Sequence, residues 1–208
     1  MTTLPENKTE KHDETRYKWG LENFIYVPSI GLHVSENKSF FGKKFCEINE
    51  EIGCEDSKLL SIFEFEEFLK YSKENFPGLY EEIVHESVPW RGEFLDSSFS
   101  LNGSHSYMEY HIFDSEKKKI IVKRKNFEET NLYENKRISI ESLFHERTHL
   151  GLPTQKTEPG SLDYFPPERN KDSVSWFSTH SNGITLSCRS PASYRCGGIG
   201  ARIAKLKK

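Results

Sequence analysis

The run Ser173 to Lys205, SVSWFSTHSNGITLSCRSPASYRCGGIGARIAK, alternates in the way that paired strands require. From Ser173 to Ser181 the odd positions carry Ser173, Ser175, Phe177, Thr179 and Ser181, all small apart from one aromatic. The even positions Trp176, Ser178, His180 and Asn182 share no property. After Gly183 the pattern resumes, with Ile184, Leu186 and Cys188 apolar and Thr185, Ser187 and Arg189 polar. Successive strand side chains point to opposite faces. Two short strands are therefore predicted, joined at Asn182-Gly183, a dipeptide suited to a tight turn. Each has one face that packs and one whose chemistry is unconstrained. The closing run GIGARIAKL, with Ile199, Ala201 and Ile203 on one side, predicts one further strand.

The unconstrained face is the candidate binding surface. It comprises Trp176, Ser178, His180, Asn182, Gly183, Thr185, Ser187 and Arg189, continued by Ser190, Tyr194, Arg195, Cys196 and Gly197. Val174, Phe177, Ile184, Leu186, Cys188, Ile199 and Ile203 are expected to hold the fold beneath it. Trp176 opposes Phe177 in parity, so it faces out if Phe177 is buried. Trp176 and Tyr194 would supply rigid aromatic anchors, with Ser and Asn supplying adaptable hydrogen bonds, as in antibody paratopes. Arg202 reads as structural, paired with a carboxylate of a supporting loop.

This C-terminal stretch resembles the variable region of diversity-generating retroelement proteins, which carry a C-type-lectin-type fold similar to that of formylglycine-generating enzymes. The resemblance rests on Ser173-Val174, Phe177, Ser181, Leu186, Cys188, Ser193 and the close Ile199-Gly200-Ala201-Arg202, similar to the family's Leu-Gly-Val-Arg. Upstream, Gly151-Leu152-Pro153, Gly160-Ser161-Leu162-Asp163-Tyr164 and Pro166 stand where archaeal and small-genome bacterial members have similar runs. Pro191-Ala192-Ser193 stands where Asp-Pro-Ser is usual. The resemblance implies an α+β, C-type-lectin-like fold with short mixed and antiparallel sheets, two helices and much ordered loop. It implies an early strand lying beside the last one. It also implies a variable protein of archaeal or viral type, displayed at a virion or cell surface or within a larger particle, otherwise cytoplasmic, and not an enzyme. Its partner would be a protein or other macromolecule on a target surface, with no cofactor.

Composition narrows the alternatives. A chain of 208 residues can bury one sizeable core, and 35% hydrophobic against 29% charged residues fits a globular domain. Residues 1–15 read as a disordered leader without an apolar signal segment, and residues 16–208 as a single domain. A net charge of −3 makes nucleic acid a poor partner, and no apolar run is long enough to span a membrane. The basic run Lys117 to Lys125 is interrupted by Ile120, Ile121 and Val122, which predicts a strand with a solvated face. Cys46, Cys54, Cys188 and Cys196 allow three pairings that spacing does not decide, and free thiols are the default.

Two enzymatic alternatives are carried forward. His145-Glu146-Arg147-Thr148-His149 matches H-E-x-x-H, which on a helix places two imidazoles on one face around a zinc ion. Gly151 and Pro153 end any helix immediately afterwards, and the candidate third ligands Glu158, Asp163 and His180 lack a supporting motif. Cys188 and Cys196 could hold Cu(I), as the two C-terminal cysteines of formylglycine-generating enzymes do. Gly197-Gly198-x-Gly200 leads into a strand and reads as close packing, not a phosphate loop.

Upstream, Tyr17 to Ser35 predicts one or two strands bent at Pro28, and Asn37 to Cys54 reads as irregular. A helix over Lys58 to Glu74, capped by Ser57, is expected to pack a Phe-rich face on the sheet. Pro77 opens a second helix. Trp90 to Phe99 carries no clear signal. Met108 to Phe113 and Lys119 to Lys125 form a predicted hairpin, Ser139 caps a short helix, and Leu150 to Asp172 reads as ordered loop.

Overall fold

A computed structural model describes residues 23–52, 56–85, 91–102, 105–114, 116–117, 119–128, 130–181 and 183–206. The expected leader, Cys54, Trp90 and the candidate site residue Asn182 lie outside them. The chain opens with β1 (Phe24–Val27) and β2 (Leu32–Ser35), an antiparallel hairpin in which Val27 pairs with Leu32. Gly31 turns it with φ +67, a left-handed conformation glycine adopts without penalty. The stretch expected to be irregular contains α1 (Phe45–Ile52), which buries Phe45, Ile48 and Ile52 at helical spacing. Its two turns are too short for the periodicity to stand out.

Ser57 does not cap the long helix. Residues Ser57–Leu59 form β3, and α2 spans Ile62–Asn75. The cap is Ser61, whose side chain accepts from the Glu64 amide while the Glu64 carboxylate accepts from Ser61 N at 2.8 Å. This reciprocal box satisfies two otherwise orphaned donors, and its Ser-x-x-Glu spacing is present in the sequence. α3 (Pro77–Val84) begins on its proline as expected.

The unassigned link after position 90 is β4 (Arg91–Asn102), an interior strand of the larger sheet. β5 (His105–Asp114) and β6 (Lys119–Asn126) form the predicted hairpin beside it. β7 (Lys136–Ile138) precedes a single helical turn, α4 (Ile140–Leu143), capped by Ser139. The expected loop before Asp172 contains β8 (Leu162–Phe165). β9 (Ser173–His180) and β10 (Gly183–Ser190) are the two strands predicted at the C-terminus. The last predicted strand is broken in two, β11 (Ile199–Gly200) and β12 (Ile203–Leu206).

The result is an α+β fold with four helices and two sheets among the described residues, where the resemblance implied two helices and the local signals three. The smaller sheet runs β1-β2-β12-β3, so the early strand does lie beside the last, with Val34 opposite Ala204. The larger runs β6-β5-β4-β9-β10-β8-β7, and β11 adds to β4 in parallel. β4 shifts register against β9 between Leu95 and Ser98. At that irregularity Asp96 N donates to Leu60 O at 2.7 Å, and Ser97 Oγ accepts from Ile62 N at 3.3 Å. The kink thus seats the start of α2 on the sheet.

The Phe-rich face of α2 packs on the sheet as expected, with the Phe65 and Phe177 rings 4.9 Å apart. Leu186, Cys188 and Tyr164 complete that side. The supporting set is not one layer, however. Val174, Ile199 and Ile203 belong to a second cluster with Phe45, Ile48, Phe94 and Leu59. Val174 shares the parity of Trp176, so part of the face expected to be open is roofed by α1.

Arg202 is buried, with Nε 3.2 Å from a Glu93 carboxylate oxygen and Nη1 donating to the carbonyls of Ser35, at 3.2 Å, and Glu36. Its partner is a strand residue, not the loop carboxylate expected.

Candidate functional site: a cleft over the C-terminal strands

Antiparallel pairing sets Trp176 opposite Ser187, Ser178 opposite Thr185 and His180 opposite Gly183. The even positions of β9 and the odd positions of β10 therefore share one face, as the alternation predicts. β8 runs parallel to β10 with Phe165 opposite Ser187, which brings Phe165 onto the same face. β10 and β11 lie on opposite sides of the β4–β9 pair, so the chain from Pro191 to Gly198 has to cross those strands. That crossing lays Tyr194 against Trp176, ring centroids 6.2 Å apart and 30° between planes.

A cleft of about 610 Å³ lies between these parts. Its floor and one wall come from Trp176, His180, Thr185 and Ser187, and its rim from Arg189, Ser190 and Tyr194. The Trp176 indole N–H donates to Ser190 Oγ, which fixes the ring plane. His180 Nε2 lies 3.1 Å from Thr185 Oγ1. The Arg189 guanidinium stacks 4.2 Å above the Phe165 ring. The opposite wall was not foreseen. It consists of Phe165 with Glu168, Lys171 and Asp172 from the segment that leads into β9. Glu168 is ion-paired to Lys171, and that hydrogen bond, with the positive charge of Lys171 and more weakly of Arg189, holds its carboxyl below the usual range. The alternation of Leu162 and Tyr164, buried, with Asp163 and Phe165 was the available signal for Phe165.

Several members of the expected surface set are placed elsewhere. Ser178 is 1% exposed: Gly92 of β4 approaches so closely that a Cβ there would sit 3.2 Å from Ser178 Cβ. Thr185 and Ser187 line the cleft but are buried, because β10 is flanked on both sides and roofed by the cleft walls. Gly183 is half-buried in the turn with φ +129. Arg195 turns away to α1, where its Nη2 donates to both Glu47 carboxylate oxygens at 2.7 and 2.9 Å. Cys196 packs against the second cluster, and Gly197 is exposed beside Gly42. These three do not line the cleft, since the crossing segment that carries them is pinned to α1 and the loop before it.

The metal-ligand motif is not helical. α4 ends at Leu143, His145 is exposed in a turn, and Arg147 bridges to Pro153. The Arg147 guanidinium is held by Glu66, at 2.8 Å, and Glu67 on α2. His149 Nδ1 is paired with Glu128. The two imidazoles are thus not stacked one turn apart around a common point, and no group of three metal-binding side chains converges among the described residues. The thiols behave similarly. Cys188 is fully buried facing α2, where burial pushes its pKa well above the usual value, whereas Cys196 lies against the other cluster. Neither a family model, nor a curated protein, nor a solved structure matches the chain.

Proposed function

We propose that this chain is a ligand-binding display protein of the diversity-generating retroelement type, with a C-type-lectin-like fold and a recognition face on β9, β10 and the crossing segment. One observation carries the reading. Side chains of one parity from two strands, with no shared property, converge on a single cleft, while their neighbours of the other parity form the buried packing against α2. Such an arrangement lets Trp176, His180, Arg189 and Tyr194 change without touching the main core. The aromatic stack supplies rigid contact area at small entropic cost, and the hydroxyls of Thr185, Ser187 and Ser190 supply hydrogen bonds that adapt to the partner. The partner would be a macromolecule on a target surface, met at a virion or cell surface, and binding would need neither cofactor nor catalysis.

The coding DNA tests this. A near-copy of the segment around codons 176–197, differing from it mainly where the copy has adenine, should lie near a reverse transcriptase gene. A genomic neighbourhood lacking both would overturn the retroelement reading.

A further inference from the structure

Arg189 is the cleft cation that has no ion-pair partner among the described residues. Its guanidinium carbon lies 4.2 Å from the centroid of the Phe165 ring, and no carboxylate lies within ion-pairing distance of it among the described residues. The other cation of the cleft, Lys171, is already paired with Glu168. A guanidinium held over an aromatic face keeps its N–H donors available for a second partner. Such donors engage a carboxylate in a two-point geometry, and less ordering entropy is lost because the side chain is already placed. Trp176 and Tyr194 stand in the same cleft and offer apolar area beside it.

Resting on the binding reading above, we infer that the cleft takes a protein partner through an extended segment carrying one acidic residue, an Asp or Glu on Arg189 with an adjacent apolar or aromatic side chain against Trp176 and Tyr194. Asp172, exposed on the segment before β9, sets the polarity of the contact, because a carboxylate docking beside it would be repelled. The charges lining the cleft, Glu168 and Asp172 against Lys171 and Arg189, cancel, so a uniform polyanion gains nothing there. A single acid in an otherwise neutral context gains most. Arg189 is then the specificity-determining residue of the face.

The test is an array of random dodecapeptides probed with the purified full chain. The wild type should retain peptides carrying an acidic residue next to an aromatic or large apolar one. Arg189→Glu, an exposed substitution whose folding is checked by its urea midpoint, should weaken the best of these about tenfold or more and shift retention toward Lys- and Arg-bearing peptides. Acid preference that survives Arg189→Glu, or an array that retains nothing above background, overturns the inference. Trp176→Ala separates the two levels. If it abolishes retention while Arg189→Glu leaves charge preference unchanged, the binding face stands and only the acidic partner falls. If retention survives Trp176→Ala and Tyr194→Ala alike, the face itself is misassigned.

Discussion

Replacing Arg202 with methionine removes a buried cation whose every polar contact is internal. Both Arg202 and Glu93 have side chains only 2% exposed, and Nε lies 3.2 and 3.4 Å from the two Glu93 carboxylate oxygens. Two carbonyls, of Ser35 and Glu36, lose their donor as well. Breaking a buried pair from one side costs about 3–5 kcal/mol, chiefly because the remaining charge is stranded. Lys38, mostly buried and close enough to Glu93 to feel its charge, offsets part of this, so about 3 kcal/mol is expected. Glu93→Gln in the same background should restore much of the loss, with a coupling of about 1 kcal/mol or more. Urea unfolding of the four proteins at pH 7 measures both effects from the midpoints, provided the slopes agree. A loss under about 1 kcal/mol, or additive single and double variants, would refute the claim that the pair is interdependent.

Gly151 and Gly31 both have positive φ, +83 and +67, but differ in surroundings. A Cβ on Gly31 meets nothing within 4 Å, so Gly31→Ala should cost about 1–2 kcal/mol from conformation alone. One on Gly151 would fall 2.5 Å from Phe63 N, and Gly151→Ala should exceed the other by about 2 kcal/mol, read from thermal or urea melts. Equal losses would show that the close approach to α2 is not tight. His111 lies 2.7 Å through Nδ1 from the buried Asp96 carboxylate, and that hydrogen bond raises its pKa above 6.5. The pair's contribution should be full below about pH 6.5 and decline as the pH climbs through the higher folded value. Asp96→Asn should flatten that decline between urea midpoints at pH 6 and pH 9; an unchanged profile would remove His111 from the account.

The parity of residues 173–190 was legible because strand alternation is strict wherever one face is buried. It placed Phe177, Leu186 and Cys188 against α2 and Trp176, His180 and Arg189 opposite them. What alternation cannot report is the roof. Ser178, Thr185 and Ser187 have outward parity yet are covered, because the crossing of residues 191–198 and the approach of Gly92 depend on strand order and not on local pattern. The same limit hid β4. Its run RGEFLDSSF hides its alternation because the buried polar residues Glu93, Asp96 and Ser97 interrupt the apolar ones, and the shift between Leu95 and Ser98 inserts two residues while Leu95 and Phe99 stay in the same cluster. The long helix is legible from its apolar face, and its true cap from the Ser61-x-x-Glu64 spacing, whereas Ser57 lies in β3. The H-E-x-x-H match at residues 145–149 was legible as a weak alternative from the sequence itself, since Gly151 and Pro153 follow too soon for a long helix, but the capture of Arg147 by Glu66 and Glu67 was not.

If residues 176–197 are rewritten as proposed, the placement of β12 decides which changes the chain tolerates. This strand sits between β2 and β3, each of which would otherwise present an open edge, and it lies downstream of every cleft residue. An amino-acid exchange anywhere in residues 176–197 leaves it intact, whereas an inserted or deleted nucleotide there scrambles Ile203 to Leu206. The smaller sheet would then fail to close and its product would be open to proteolysis. Folding itself would act as a proofreader, passing altered letters and discarding a slipped reading frame.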